Sequence, residues 1–325
     1  MVILIRIDLA NRESAEIICK IHNESFRYYI DKFGKLYGYI EITKKDVIKW
    51  FVNDSIILIA YFDNHPVGYL HGQIEYHEKE NFSSLNIVET TESLGQSKIA
   101  VLPDYRRKKV ATNLIKEVTE IARKRNVNVI MFFAYNDNSI ATNLFKKLKF
   151  KHKQFHIIKS FSEEKPLAHD SVLAEYDLQK KLPVIELNLD VDIRKINKND
   201  LTDLQQIFGE CRPDVFGKNP SLNQIKEWYK SKWAQETLVA HYKGKTIGCM
   251  EYTKLGIIGI PGILKDYRRK KIGSTLFYFL LYNMQKRGLK KALADTGYTL
   301  EEAISMYKKF GFDLSRELWV WLKEL

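Results

Sequence analysis

The sequence is poor in cysteine and proline. Its three cysteines (Cys19, Cys211 and Cys249) lie far apart with no CxxC spacing, which disfavours a disulfide framework or a zinc site and fits a reducing compartment. Seven prolines, 45% hydrophobic residues and 28% charged residues indicate a globular rather than a disordered chain. A length of 325 residues is sufficient for two domains, each with its own hydrophobic core.

Long hydrophobic runs are also missing from the sequence. No apolar run reaches the roughly 18 residues that a membrane-spanning helix needs. The N-terminal segment Met1–Asp8 alternates like a strand and lacks the positively charged front of a signal peptide. The eight histidines show no metal-ligand spacing with cysteines or carboxylates. We therefore expect a soluble cytoplasmic protein with no membrane partner and no metal.

The net charge of +12 has two local sources within an otherwise scattered distribution of lysines. Residues 104–111 read DYRRKKVA, and residues 266–273 read DYRRKKIG. Each cluster follows a short apolar run and opens a segment with helical apolar periodicity, so each predicts a basic turn between a strand and a helix. The first amides of a helix have no intrahelical acceptor, and cations beside them attract anions. The pattern predicts a phosphate-bearing ligand, held twice.

The two clusters belong to a longer internal repeat. They are 162 residues apart (268 minus 106), and the same offset relates residues 144–150 (LFKKLKF) to residues 306–312 (MYKKFGF). Upstream, Arg6 and Arg194 are 188 residues apart, so the first copy has about 26 extra residues (188 minus 162), most of them between residues 76 and 98. A repeat of this length predicts two copies of one fold.

The repeat places the domain boundary near Gln179–Pro183, where charge and proline interrupt the periodic pattern. We predict domains over 1–182 and 183–325, with residues 77–96 as a long connection. Helices are predicted over 14–29, 46–52, 111–125, 140–148, 201–210, 222–233, 273–287 and 300–310. Strands are predicted over 56–61, 67–75, 97–102, 127–134, 151–160, 171–178, 237–242, 246–252, 257–264, 291–295 and 317–322.

The order of these motifs resembles the GNAT superfamily of N-acetyltransferases in both copies. A strand, D-Y-R-x-x-x-[VI]-[AG], an amphipathic helix, a second strand and a helix with A-x-x-x-[YF]-x-K-x-x-F follow one another twice. The family signature Arg/Gln-x-x-Gly-x-Gly/Ala is matched by Arg106 and Ala111 in the first copy and by Arg268 and Gly273 in the second. Lys109 and Lys271 replace its middle glycine. The resemblance implies a mixed α/β fold class: two tandem domains, each a mostly antiparallel mixed sheet flanked by helices.

The resemblance also implies acetyl-CoA as the cofactor. The turn amides would bind the pyrophosphate, and the strand before each turn would pair with the pantetheine arm and polarise the thioester carbonyl. The implied reaction is transfer of an acetyl group to a primary amine by direct attack in a ternary complex. The implied cofactor residues of the first copy are Ile99, Ala100, Val101, Arg106, Arg107, Lys108, Lys109, Val110, Ala111, Thr112 and Asn138. Those of the second copy are Ile263, Leu264, Arg268, Arg269, Lys270, Lys271, Ile272, Gly273 and Ser274.

The copies differ at the position of the family's general acid, a tyrosine that protonates the departing thiolate. The position is Tyr307 in the second copy and Phe145 in the first, so the second domain is the expected catalyst. The family's general base position is Gly95 or Ile257, neither of them acidic. Three carboxylates lie near these positions, and a water chain would serve equally well. These carboxylates belong to Glu89, Glu92 and Glu251.

Two alternatives to an enzyme stay open at this point. Degenerate GNAT domains could form a non-catalytic acyl-CoA sensor, or the basic clusters could bind nucleic acid. No aromatic nucleic-acid platform accompanies the clusters, which disfavours nucleic acid as a partner. An aromatic-rich segment, residues 26–39, could line a pocket for the amine-bearing acceptor. Small molecules and proteins both remain possible acceptors, and neither acyl chain length nor oligomeric state follows from the sequence.

Overall fold

The structure, a computed structural model, describes residues 5–32, 39–77, 82–88, 98–152, 170–231, 234–259, 261–297 and 300–325. The chain folds as two units. Unit 1 contains residues 1–171 and 316–325, and unit 2 contains residues 172–315. This division differs from the predicted boundary after residue 182, because the predicted linker lies inside unit 2 and the C-terminal segment lies in unit 1.

Apart from a few strands and one short helix, the helices and strands of the described residues follow the predicted order. The strands are β1 (Ile5–Leu9), β2 (Ser55–Phe62), β3 (His65–His77), β4 (Phe82–Val88), β5 (Ile99–Val101), β6 (Val129–Tyr135), β7 (Ser171–Asp177), β8 (Asp192–Lys195), β9 (Thr237–Tyr242), β10 (Lys245–Glu251), β11 (Gly262–Ile263), β12 (Lys291–Gly297) and β13 (Asp313–Glu324). The helices are α1 (Ala15–Lys32), α2 (Lys44–Ile48), α3 (Val110–Lys124), α4 (Ser139–Lys147), α5 (Leu201–Cys211), α6 (Pro213–Phe216), α7 (Leu222–Tyr229), α8 (Ile272–Lys286) and α9 (Glu301–Phe310).

Unit 1 is built on a mixed sheet with helices on both faces. Its strand order is β1-β2-β3-β4-β6-β13, with β5 also paired to β3, and β4–β6 is the parallel pair. Successive residues of β2 point to opposite faces of the sheet. Ile56 and Leu58 pack in one core with Leu114 of α3, whereas Ile57 packs in another with Ile18 of α1. A continuous apolar strand is therefore buried on both faces.

Strand β4 contradicts the prediction that residues 77–96 form a long connection. Leu85 and Ile87 are buried, and β4 pairs with both β3 and β6. The segment FSSLNIV alternates in a strand-like way, but the charged and polar residues around it hid this pattern. β4 and β5 thus share one side of β3, and residues 89–97 between them lie outside the described part of the chain.

Unit 2 repeats the arrangement with a shorter first helix, α5, and a shorter return strand, β10. Its sheet has the order β11-β10-β9-β8, all antiparallel, and β7 lies beside β12. Ile257 forms a parallel bridge with Leu293 of β12, the counterpart of the parallel β4–β6 pair in unit 1. Helix α8 contributes buried side chains to the core of this unit, including Phe277 and Leu280. The short helix α6 has no counterpart among the predicted elements.

The C-terminal strand belongs to the sheet of unit 1. Residues 318–324 of β13 pair antiparallel with β6. Val320 and Leu322 of β13 are buried with Val129 and Met131 of β6. The sequence had predicted a strand over 151–160 near this edge. Its first residue, Lys151, bridges to Leu322, and residues 153–160 lie outside the described residues.

Candidate active site

The basic turn of unit 1 adopts a left-handed backbone conformation at two residues. The chain leaves β5, passes through a short 3-10 turn and enters α3 after Arg106–Lys109. Arg107 and Lys109 have φ values of 61° and 65°. The first helical bond runs from Asn113 N–H to Lys109 O at 3.0 Å, so the amides of residues 110–112 have no intrahelical acceptor. Left-handed residues just before a helix start are typical of backbone nests that bind anions.

The turn of unit 2 has the same backbone shape. Arg269 and Lys271 both have a φ of 61°, and the first bond of α8 runs from Thr275 N–H to Lys271 O at 2.9 Å. The repeat that was read from the sequence therefore extends to individual backbone angles.

The leading arginine of each turn is exposed and donates to the backbone of the strand before the turn. Arg106 donates from Nε to Val101 O at 3.2 Å and from Nη2 to Ser25 O at 2.9 Å. Arg268 donates from Nε to Ile263 O at 2.9 Å, and its Nη2 lies 3.7 Å from Cys211 Sγ. The resemblance implied that both side chains contact the cofactor. Their guanidinium groups tie the first helix of each unit to the strand before the turn. Contact of these side chains with the cofactor stays a prediction.

A cavity of about 290 Å³ opens beside the turn of unit 1. It lies between β5 and β6, and the first residues of α3 and α4 line it. Its lining comprises Ser25, Phe26, Tyr29, Ile87, Ile99, Ala100, Val101, Tyr105, Arg106, Arg107, Lys109, Val110, Ala111, Thr112, Phe132, Phe133, Ala134, Asn138, Ile140, Ala141, Leu144 and Phe145. Apolar side chains dominate this set.

Strand β5 offers backbone donors to this cavity. Its residues pair with β3, and no second strand pairs with them within the described residues. Leu102 N–H donates to Val67 O at 2.8 Å on the β3 side. Since alternate residues of an antiparallel strand face their partner, the N–H groups of Ile99 and Val101 point away from β3, toward the cavity.

Most of the cofactor residues implied for the first copy line this cavity, and Lys108 does not. The Nζ atom of Lys108 lies 5.1 Å from the ring centroid of Phe62 and 5.0 Å from that of Tyr105. Asn138 lines the cavity and caps α4, because its Oδ1 accepts the Ala141 N–H at 3.1 Å. Ser25 was missed by the sequence interpretation, since a serine inside an amphipathic helix gives no signal of its own.

The cations of the two turns differ in their partners. No ion pair involves Arg107 or Lys109 among the residues that the structure describes. In unit 2, Arg269 Nη2 lies 2.9 Å from Glu302 Oε1, and Lys271 pairs with Glu186. A hydrogen bond from Lys271, and then its charge, lower the pKa of Glu186 below its ordinary value.

Residues shortly after the predicted linker contact the turn of unit 2. Asn188 donates from Nδ2 to Lys270 O at 2.9 Å and from its backbone N–H to Thr275 Oγ1 at 2.8 Å. Together with the Glu186–Lys271 pair, these bonds place a carboxylate and an amide at the start of α8. The turn of unit 2 thus already has an internal anion beside it.

The two acid positions are both buried in aromatic surroundings. Tyr307 is 3% exposed, with ring centroids 5.3 Å from Phe312 and 5.8 Å from Phe277. Burial, and then the charge of Asp295, raise the pKa of Tyr307 to about 12, so its hydroxyl is protonated at neutral pH. The ring centroid of its counterpart Phe145 lies 4.7 Å from that of Phe132, and Phe145 lines the cavity of unit 1.

Of the carboxylates near the general base positions, the structure describes Glu251. Gly95, Glu89 and Glu92 lie outside the described residues. Glu251 is buried, and its Oε2 accepts a hydrogen bond from Arg212 Nη2 at 2.5 Å. Burial by itself would lower the pKa of Arg212, but the adjacent Glu251 carboxylate raises it, so the pair stays charged. Glu251 is therefore committed to a buried ion pair.

Comparison with known proteins identifies the family of this chain. A model of the acetyltransferase (GNAT) family matches residues 15–150 and 201–312. The chain belongs to the GNAT acetyltransferase family. One matched range falls in each copy of the repeat, so the resemblance that the motifs indicated is confirmed.

Individual relatives are distant. N-alpha-acetyltransferase 30 of Dictyostelium discoideum is 28% identical over 98 residues, which make up 28% of this chain and 53% of that protein. The chain thus spans about half the length of this curated relative. A GCN5-related N-acetyltransferase from Sphaerobacter thermophilus superposes with a TM-score of 0.60 at 14% identity, covering 98% of this chain and 95% of that one.

A tandem GNAT protein from the clavulanic acid biosynthesis pathway superposes with a TM-score of 0.61 at 10% identity, covering 99% of this chain and 98% of that one. At such identities the likeness establishes the fold alone, and that fold is the mixed sheet with flanking helices expected for each GNAT copy. Within the described residues, no helix is long and apolar enough to span a bilayer. The same residues contain no cluster of three or more potential metal ligands.

Proposed function

We propose that unit 1 binds acetyl-CoA and transfers the acetyl group to a primary amine. The observation that carries this proposal is the cavity of about 290 Å³ at the start of α3, together with two cations, Arg107 and Lys109, that have no ion pair among the described residues. The unpaired amides of residues 110–112 and these cations suit a diphosphate, which needs N–H donors and positive charge.

The remainder of the cavity suits the pantetheine arm of the coenzyme. This arm is uncharged and carries amide groups, so it needs an apolar groove with a few backbone partners. Ile99 and Val101 offer their N–H groups, while Ile140, Leu144 and Phe133 supply apolar walls. When bound, acetyl-CoA supplies the acetyl group as a thioester.

This cavity can contribute to catalysis in two ways: it positions the reactants, and its backbone N–H groups can polarise a carbonyl. Backbone N–H groups of β5 are placed to hydrogen-bond carbonyl oxygens, a contribution of about 3 kcal/mol where charge develops on such an oxygen. Phe145 shields the cavity from water and donates no proton. No carboxylate or imidazole belongs to the cavity lining as described, so the proposal assigns amine deprotonation to water.

This assignment differs from the expectation that the second domain is the catalyst. That expectation depended on Tyr307, a core residue between Phe277 and Phe312. In unit 2, Arg269 and Lys271 are already paired with carboxylates. The buried Arg212–Glu251 pair also fills the space where α5 packs on β10. These contacts favour a structural rather than a catalytic role for unit 2.

Matched charge reversals at the two turns test the assignment. We expect isothermal titration calorimetry to find one coenzyme A per chain. Arg107→Glu should raise the Kd at least tenfold, since it turns a phosphate-side cation into an anion. Arg269→Glu, the same change at the equivalent residue of unit 2, should alter the Kd less than twofold. The opposite ranking would move the site to unit 2, and absence of any coenzyme A binding by the wild type would refute the function.

A turnover assay separates the enzyme from a non-catalytic acyl-CoA sensor. The Dictyostelium relative is an N-alpha-acetyltransferase, so the α-amine of a peptide is the first acceptor class to try. We expect thiol release from acetyl-CoA to depend on added peptides with free α-amines or on small primary amines. Coenzyme A binding without amine-dependent thiol release would support the sensor instead.

A further inference from the structure

The Ser25 hydroxyl is buried, and it has no hydrogen-bond partner among the residues that the structure describes. Ser25 is 5% exposed, lies inside α1 and lines the cavity of unit 1. Buried polar atoms are nearly always hydrogen-bonded, and a serine inside a helix usually donates to the carbonyl four residues before it. Described residues outside the cavity also include some with a buried polar atom that has no partner, among them Ser84, Asn86, Ser231 and Trp321. Ser25 is the residue of this group that lines the cavity.

Neighbouring contacts fix where Ser25 stands relative to β5. The Arg106 guanidinium donates both to Ser25 O at 2.9 Å and to Val101 O at 3.2 Å. Ser25 is therefore held beside the strand whose outer N–H groups point into the cavity. This position lies on the strand side of the turn rather than at the start of α3.

The corresponding residue of unit 2 is satisfied within the protein. Arg268 reaches Cys211 of α5 in the way that Arg106 reaches Ser25 of α1. The Cys211 thiol donates to Ile263 O at 3.4 Å, and Gly262 packs so tightly on α5 that an added Cβ would lie 3.2 Å from Cys211 Cβ. The same place in the fold is closed in unit 2 and open in unit 1.

We infer that the Ser25 hydroxyl donates a hydrogen bond to an amide carbonyl of the pantetheine arm, and so positions the arm along β5. This inference rests on the proposed coenzyme site of unit 1. It requires the ligand to have an uncharged arm with acceptor oxygens, and it assigns Ser25 no contact with the diphosphate. Ser25 acts as a positioning residue in this role and takes no part in proton transfer.

The test compares two probes, coenzyme A and ADP, on wild type and Ser25→Ala. We expect the variant to raise the Kd for coenzyme A about fivefold, the ratio given by one neutral hydrogen bond. Its Kd for ADP, which lacks the arm, should not change. The Tm without ligand should stay the same or rise, because the variant removes an unpaired buried hydroxyl.

Thr119→Ala is the matched control. Thr119 is a buried hydroxyl residue on α3 that is already satisfied, since it donates to Ile115 O at 2.6 Å. This variant should lower the Tm and leave both Kd values unchanged. An unchanged coenzyme A Kd for Ser25→Ala, or an equal rise for both probes, would overturn the inference. If wild type bound coenzyme A in either case, the proposed function would survive that result.

Discussion

At the scale of single residues, the two turns hold lysine where the family signature has glycine. Lys109 and Lys271 have φ values of 65° and 61°, in the region that glycine enters without steric cost. A residue with a side chain strains there by about 1–2 kcal/mol. The departure from the signature therefore changes the side chain and its charge, while the backbone shape is kept.

Relief of this strain is measurable. Lys109→Gly should stabilise unit 1 by about 0.5–1 kcal/mol, the steric gain less the extra entropy of glycine in the unfolded chain. Lys116→Gly is the matched control, because Lys116 is exposed inside α3 and its replacement also removes one lysine. This control should destabilise the unit by about 1 kcal/mol. Urea unfolding compares the two variants, and a loss of stability in both would show that the turn is unstrained.

At the scale of elements, one carboxylate joins two strands of unit 2. Asp200 is 2% exposed and accepts hydrogen bonds from Arg194 of β8 at 2.7 and 2.9 Å, and from Thr246 Oγ1 of β10 at 2.6 Å. Burial by itself would raise the pKa of Asp200, but the bonds from Arg194, Thr246 and the Asn197 amide lower it overall. The ionised form is therefore favoured in the folded state.

This lowered pKa sets a pH dependence. A carboxyl whose pKa falls on folding stabilises the fold above its unfolded pKa of about 3.9, and this contribution is lost as pH falls through the folded value. Asp200→Asn should cost about 2 kcal/mol at pH 7. The difference from wild type should shrink below about pH 4. Denaturant unfolding at several pH values checks this, with exposed Asp190→Asn as the control. A difference that stayed constant down to pH 2 would contradict the assignment.

Elements also show where sequence patterns were sufficient. Asp63 and Asn64 lie between the strands predicted over 56–61 and 67–75, and both have positive φ values, as a two-residue type I′ hairpin loop requires. Such turns depend on neighbours in sequence, so the sequence predicts them. β4 was missed because its pairing with β3 and β6 is non-local and its flanking residues are polar. The short helix α6 was missed because its four residues are too few to show a helical apolar period.

At the scale of the whole molecule, the end of the chain belongs to unit 1. Residues 316–325 are part of that unit although they follow the second copy of the repeat. β13 pairs with β6 from Leu318 opposite Tyr135 to Glu324 opposite Val129. A strand of this length covers what would otherwise be an open sheet edge. The stability of the candidate site in unit 1 therefore depends on the last residues of the sequence.

A charge in β13 tests this dependence. Val320 is 1% exposed and lies opposite Phe133 of β6. Val320→Asp should destabilise unit 1 by at least about 3 kcal/mol, because it buries an unpaired carboxylate. Hydrogen exchange should then lose protection in β6, far away in sequence. Glu324→Gln, an exposed change in the same strand, should leave exchange unchanged. Lost protection confined to the C-terminal residues would contradict the unit assignment.

The sequence by itself determined the repeat, the family and the place of both turns between a strand and a helix. These features follow from patterns in which neighbouring residues act together: a basic strand-to-helix turn, helical apolar spacing and a hairpin loop. Only the tertiary structure decided that the turn of unit 1 stands open while Glu186 and Asn188 cover that of unit 2, and that the last strand completes unit 1. The reason is physical. Burial, ion pairing and strand pairing join residues that are far apart in the chain, and the distances between these residues are set by the packed fold.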